Sequence, residues 1–132
     1  MKNYLILLIV FFSFQLIKAQ EITSQVSDKV YNINEVDVKP EFPKGINAFY
    51  MFIGKNFKTP RKGGLHGKVV VSYIIETDGT LSNINIIQDM GYGTAEEALR
   101  VFGKSPKWIP GQFQGGLVRV INFLPIIINT PE

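Results

Sequence analysis

The sequence predicts a small α+β domain in which a three-stranded antiparallel sheet carries two helices on one face. Three observations lead there. The 132 residues are 45 % apolar and 19 % charged, the composition of a globular chain, and the length allows one domain rather than two. Residues 68–76 alternate with period two and run into Asp78-Gly79, a hairpin signal, before a second apolar stretch at residues 81–88. Two segments with helical spacing, residues 46–57 and 95–102, flank that hairpin.

The elements follow in chain order. Met1-Lys2-Asn3 is a short positive start, residues 4–14 are almost wholly apolar, and the stretch after them ends on the small Ala19. This is the three-part pattern of a secretory signal, with cleavage expected after Ala19. The other reading is an uncleaved anchor, but residues 4–17 number 14 where a bilayer needs about 20. Residues 20–37 are a lead-in segment, and residues 38–132 form the domain. Residues 30–38 alternate loosely, as a short strand or an extended arm.

Pro40 and Pro43 enforce extended backbone around Glu41-Phe42. Gly45 then releases the chain into a helix whose apolar face is Phe49, Phe52, Ile53 and Phe57, and Thr59-Pro60 ends it. In the first strand Val69, Val71, Tyr73 and Ile75 share one face, with Val70, Ser72 and Ile74 opposite. A tight primed turn at Asp78-Gly79 is expected to return it.

Thr94 and Glu97 have capping-box spacing. They open a helix with Ala95, Ala98, Leu99 and Phe102 on one side, which Gly103 stops. Residues 105–111 are extended and bounded by prolines, Gly115-Gly116 turns the chain, and residues 117–128 form a long apolar final strand. Pro125 cannot donate a ladder hydrogen bond, so it argues for a sheet edge or a strand end. A hairpin with one added strand needs its apolar face covered, which places both helices on that face.

Composition removes several classes of function. There is no cysteine, which excludes a disulfide framework, a thiolate nucleophile and a cysteine-ligated metal site. One histidine excludes a multi-histidine metal site, and His66 in a glycine-rich loop has no partner in sequence for catalysis. Ser72 is mid-strand and lacks a nucleophile elbow. The paired glycines do not have the spacing of a phosphate loop. If the signal is removed, Lys2 and Lys18 leave with it, so 14 basic residues become 12 against 11 acidic ones. Lys58, Arg61 and Lys62 then form the one dense basic cluster and read as a solvated loop, so no nucleic-acid partner is expected. Trp108, between two prolines, reads as a packed anchor. No cofactor, metal or enzymatic activity is expected.

The ordered set of segments is similar to a known family. Gly67-Lys68-Val69-Val70-Val71-Ser72-Tyr73, Asp78-Gly79, Glu97-Ala98-Leu99-Arg100, Pro106-Lys107-Trp108-Ile109-Pro110-Gly111 and Leu124-Pro125-Ile126 together resemble the TonB C-terminal domain. Pro40-Glu41-Phe42-Pro43, followed by a helix and Lys58-Thr59-Pro60, is similar to the lead-in of Bacteroidetes-type members. Lys44, Thr59 and Asn122 depart from that pattern, Asn122 by interrupting the alternation of the last strand. A full energy transducer also carries a membrane-spanning helix and a long periplasmic linker, whereas about 19 residues separate Ala19 from the domain core here, roughly 65 Å when extended.

The resemblance implies a periplasmic interaction domain without enzymatic activity. Its last strand would pair with the TonB-box segment of an outer-membrane receptor and so contribute to energy-coupled transmembrane transport. The partner-binding residues it implies are Leu117, Val118, Arg119, Val120, Ile121, Asn122, Phe123 and Leu124, with Arg119, Ile121 and Phe123 pointing outward. A proton-driven inner-membrane motor, reached through another protein, and a second copy of the chain are further partners. The alternative is a non-energised envelope adaptor or structural domain built on the same fold.

Overall fold

A computed structural model describes residues 28–132. The expected signal, residues 1–19, and the first part of the lead-in lie outside the described residues. The elements are β1 (Val30–Asn32), α1 (Ile46–Asn56), β2 (His66–Ile75), β3 (Leu81–Gln88), α2 (Thr94–Phe102), β4 (Gly111–Phe113) and β5 (Gly116–Asn129). The α+β class is as expected; the sheet is not. It is mixed and five-stranded, in the order β1-β5-β2-β3, with β4 pairing β5 off that path. The expected three antiparallel strands are β2, β3 and β5. β1 joins β5 in parallel, Tyr31 opposite Val120, and β4 joins it antiparallel, Gln112 opposite Leu117. The short strand or extended arm expected over residues 30–38 is a strand at its first three residues, but its parallel pairing was not legible locally, and β4 is too short a run to show a period.

Alternation in β2 places Val69, Val71, Tyr73 and Ile75 in the core, each almost fully buried. Opposite them on β5, Val120, Leu124, Ile126 and Ile128 face the same way and are buried too. Phe49 and Ile53 of α1 and Ala98, Val101 and Phe102 of α2 close over this face. The pairing of β2 with β5 runs from His66↔Asn129 to Ile75↔Val120 without a shift in register. Asn122 therefore makes no bulge: it keeps the core-facing parity of its strand and donates its amide to the Tyr73 hydroxyl at 3.3 Å.

Three local expectations are corrected. The β2–β3 connection is not a primed turn. Glu76 accepts from the Gly79 N–H and donates to the Thr80 carbonyl, and Gly79 has positive φ (84°) while Asp78 does not. This is the three-residue loop with a left-handed glycine at its end. The primed turn lies instead between β4 and β5, where Gln114 (φ 49°) and Gly115 (φ 79°) are both left-handed.

The capping box is absent as well. α2 starts at Thr94 behind a left-handed Gly93, and no side chain caps it. The Thr94 hydroxyl donates within reach of Asp89 Oδ1 (2.9 Å) and the Gly91 carbonyl (2.6 Å), which lets it be buried. The buried stripe of α2 is accordingly Thr94, Ala98, Val101 and Phe102, and Leu99 is 42 % exposed.

Glu97 does different work from the one expected. Its carboxylate pairs with Arg100 and accepts the Lys58 N–H at 2.8 Å, while Arg100 donates to the Asn56 carbonyl at 2.6 Å. The pair thus fastens the end of α1 to α2. Arg100 first, and then the Lys58 amide, hold the Glu97 carboxyl down to about 2, from an ordinary 4.5. A depressed carboxylate stabilises the fold above its unfolded value and loses that contribution as pH falls. Glu97→Gln is therefore expected to be less stable by about 1 kcal/mol at pH 7, given its partial exposure. The gap to the parent should narrow from about pH 4.5 and vanish near pH 2, as read by urea unfolding across that range.

Candidate functional site

The aromatic centre of the core sets the geometry of one long edge. Phe49 is 1 % exposed and lies edge-on to Phe102 and Trp108, at centroid distances of 6.0 and 4.9 Å. Trp108 is buried as the packed anchor it was expected to be, and its indole N–H donates to Ser105 Oγ at 3.0 Å. Phe42, held between Pro40 and Pro43, meets Phe49 at 5.1 Å and Trp108 at 5.5 Å. Backbone bonds between Glu41 and Ile109 in both directions tie the lead-in beside this cluster. α1 is thereby held alongside β5.

β5 is an interior strand over part of its length and an edge over the rest. Leu117 and Val118 pair with β4. Arg119, Val120 and Ile121 pair with β1, and the last two also with β2. From Asn122 to Asn129, β2 is the one partner among the described residues. So of the eight residues expected to line a partner, Asn122, Phe123 and Leu124 pair with β2 alone and lie on the open stretch, and the other five pair with β1 or β4. Arg119 is engaged too. It makes a two-pronged ion pair with Glu76, at 2.7 and 2.9 Å, and donates to the Asp28 carbonyl at 3.0 Å. Arg119 is the main cause that holds the Glu76 carboxyl below its usual value.

The direction of the open backbone groups follows from one hydrogen bond. In an antiparallel ladder the N–H and C=O of a residue point to one side, and the side alternates along the strand. Thr130 donates its N–H to Leu65, on the β2 side. Residues 124, 126 and 128 share that orientation, and Phe123, Pro125 and Ile127 turn theirs outward. Pro125 thus sits where its missing N–H costs the β2 ladder nothing, as prolines in edge strands do. Phe123 and Ile127, 49 and 63 % exposed, present an outward N–H and C=O each.

A groove runs between this edge and α1. One part, about 300 Å³, is lined by Phe49, Tyr50, Trp108, Tyr73, Asn122 and Leu124 among others. The next, about 380 Å³, is lined by Tyr50, Ile53, Gly54, Phe57, Leu124, Ile126 and Ile128 among others. Both parts share Tyr50, which is 56 % exposed, with Leu124 and Pro125. The Tyr73 hydroxyl lies at the base of the first part, and burial pushes its pKa well above the ordinary value.

Sequence reasoning did not pick out Tyr50, Tyr73, Ile126, Ile127 or Ile128 for the site. A signal existed: Ile46 and Tyr50 widen the apolar face of the helix on the side of Ile53 and Phe57. His66 begins β2 rather than lying in a loop, with Nδ1 3.1 Å from Asn129 Oδ1. Among the described residues no three of His, Asp or Glu gather as a metal site requires.

Residues 58–127 match the family described as the C-terminal domain of the Gram-negative bacterial TonB protein. The chain belongs to the TonB C-terminal family. The match takes in β2, β3, α2 and β4 and ends within β5, whereas α1 and β1 precede it. No curated protein and no solved structure matches the chain. TonB C-terminal domains are non-enzymatic protein-interaction domains of an envelope-associated energy-transduction family. Among the described residues no helix is long and apolar enough to cross a membrane.

Proposed function

We propose that this TonB C-terminal domain binds an extended segment of an outer-membrane receptor by strand addition along residues 122–129 of β5. One observation carries the reading. β5 has an open edge of alternating outward N–H and C=O groups beside an apolar groove. An incoming strand satisfies such groups, and its alternate side chains enter the groove. The site keeps Asn122, Phe123 and Leu124 of the expected residues and extends beyond them to Asn129. In this proposal the mature chain is periplasmic, and its binding contributes to energy-coupled transport.

Titration with receptor-derived peptides, followed by amide NMR and hydrogen exchange, tests this. Saturable shifts are expected along residues 122–129 and on Tyr50. The amides of Phe123 and Ile127 should become protected from exchange. Those of Leu124 and Ile126 should change little, because β2 already holds them. Unchanged spectra across a panel of receptor peptides would overturn the proposal.

A further inference from the structure

One residue of the groove wall has no packing reason to be what it is. Gly54 lies inside α1, where glycine weakens a helix relative to alanine. A Cβ added there would meet no atom within 4 Å, so no neighbour requires its absence. It does border the groove opposite β5, where any larger side chain would take up space. A second observation concerns the other end of the groove. Asn122 is a polar residue on the core-facing side of β5; its amide donates to Tyr73, and its Oδ1 has no protein partner among the described residues. The aromatic rings of Phe42, Phe49, Tyr50 and Trp108 line the compartment around it, together with Lys39 and Glu41 of the lead-in.

The edge already accepts a strand. β1 pairs in parallel with Arg119, Val120 and Ile121 and ends at Asn32, where the open stretch begins. An extended partner segment would continue that added strand along the same edge. Its groove-facing side chains would stand two residues apart, roughly 6.5–7 Å, and the two compartments adjoin at Tyr50, Leu124 and Pro125.

Resting on the strand-addition reading above, we propose that α1 selects the side chains of the added segment. The Gly54 compartment takes a bulky aliphatic side chain. The compartment based on Tyr73 and Asn122 takes a flat side chain that ends in a hydroxyl, which donates to Asn122 Oδ1. Main-chain pairing alone would be indifferent to these side chains; the two compartments make the edge read a sequence.

Short extended peptides of alternating threonine and valine test it on the whole domain. Two groove-facing positions, i and i+2, are Tyr and Leu, Leu and Tyr, Phe and Leu, Leu and Phe, or Ala and Ala. One order of Tyr and Leu is expected to bind about tenfold tighter than Ala and Ala, the scale of one buried side chain. Gly54→Leu should cancel that advantage, so that the Tyr–Leu and Ala–Ala peptides bind this variant alike. Asn122→Leu should erase the preference for Tyr over Phe.

Equal affinity for all peptides, with Phe123 and Ile127 still protected on binding, overturns the selection and leaves strand addition standing. Tight Tyr–Leu binding by Gly54→Leu also overturns it. Binding by no peptide removes both readings.

Discussion

Phe49→Ala is expected to lose about 3–5 kcal/mol of unfolding free energy, the range for truncating a large buried aromatic. Phe49 is the ring through which both helices, β2 and the proline-bounded segment meet. Its neighbours include Phe42, Tyr73, Phe102 and Trp108, each within 6.4 Å by ring centroids. These neighbours sit on four separate parts of the chain, so none can collapse into the space without moving its own element. A cavity that cannot collapse gives the upper part of the range. Small domains have about 5–15 kcal/mol in total, so the variant should unfold at a much lower urea concentration. A loss below about 1 kcal/mol would mean that the aromatic cluster is not the centre of the core.

Gly79→Ala is expected to cost more than other left-handed glycines do, and to move Trp108. Gly79 has φ 84°, which by itself penalises a side chain by about 1–2 kcal/mol. In addition, a Cβ at Gly79 would stand 2.1 Å from the Trp108 carbonyl oxygen, a backbone atom with no room to yield. The Trp108 N–H also donates to the Gly79 carbonyl at 2.8 Å. The hairpin loop and the tryptophan segment must therefore separate. Gly91→Ala is the control, with φ 80° and nothing within 4 Å of its added Cβ. The chain has one tryptophan, so its fluorescence reports the displacement directly. A red shift and a larger urea destabilisation in Gly79→Ala than in Gly91→Ala are expected. Equal effects in the two variants would show that the close approach carries no weight.

The sequence by itself determined the parts whose cause is local. Period-two alternation identified the buried face of β2, because successive side chains of a strand must point to opposite sides. The i, i+3, i+4 spacing identified Phe49 and Ile53 as the buried face of α1. The missing N–H of Pro125 marked an edge, and residues 122–129 are an edge. The ordered motifs also carried the resemblance to the family that residues 58–127 match.

Only the tertiary structure decided what depends on which strands meet. The loose alternation of residues 30–38 left a strand and an arm both open, and Val30–Asn32 is a strand because Arg119, Val120 and Ile121 offer it an edge. That pairing divides β5 into a stretch that β1 and β4 cover and an open one at residues 122–129, along which binding is proposed. The rotation of α2 was equally hidden. Thr94 can be buried because Asp89 and Gly91 satisfy its hydroxyl, and Leu99 then turns outward. A strand partner nearly ninety residues away decides the first, and the loop just before α2, by satisfying the Thr94 hydroxyl, decides the second. The groove itself exists because α1 and β5, about sixty residues apart in the chain, are held side by side by one aromatic core.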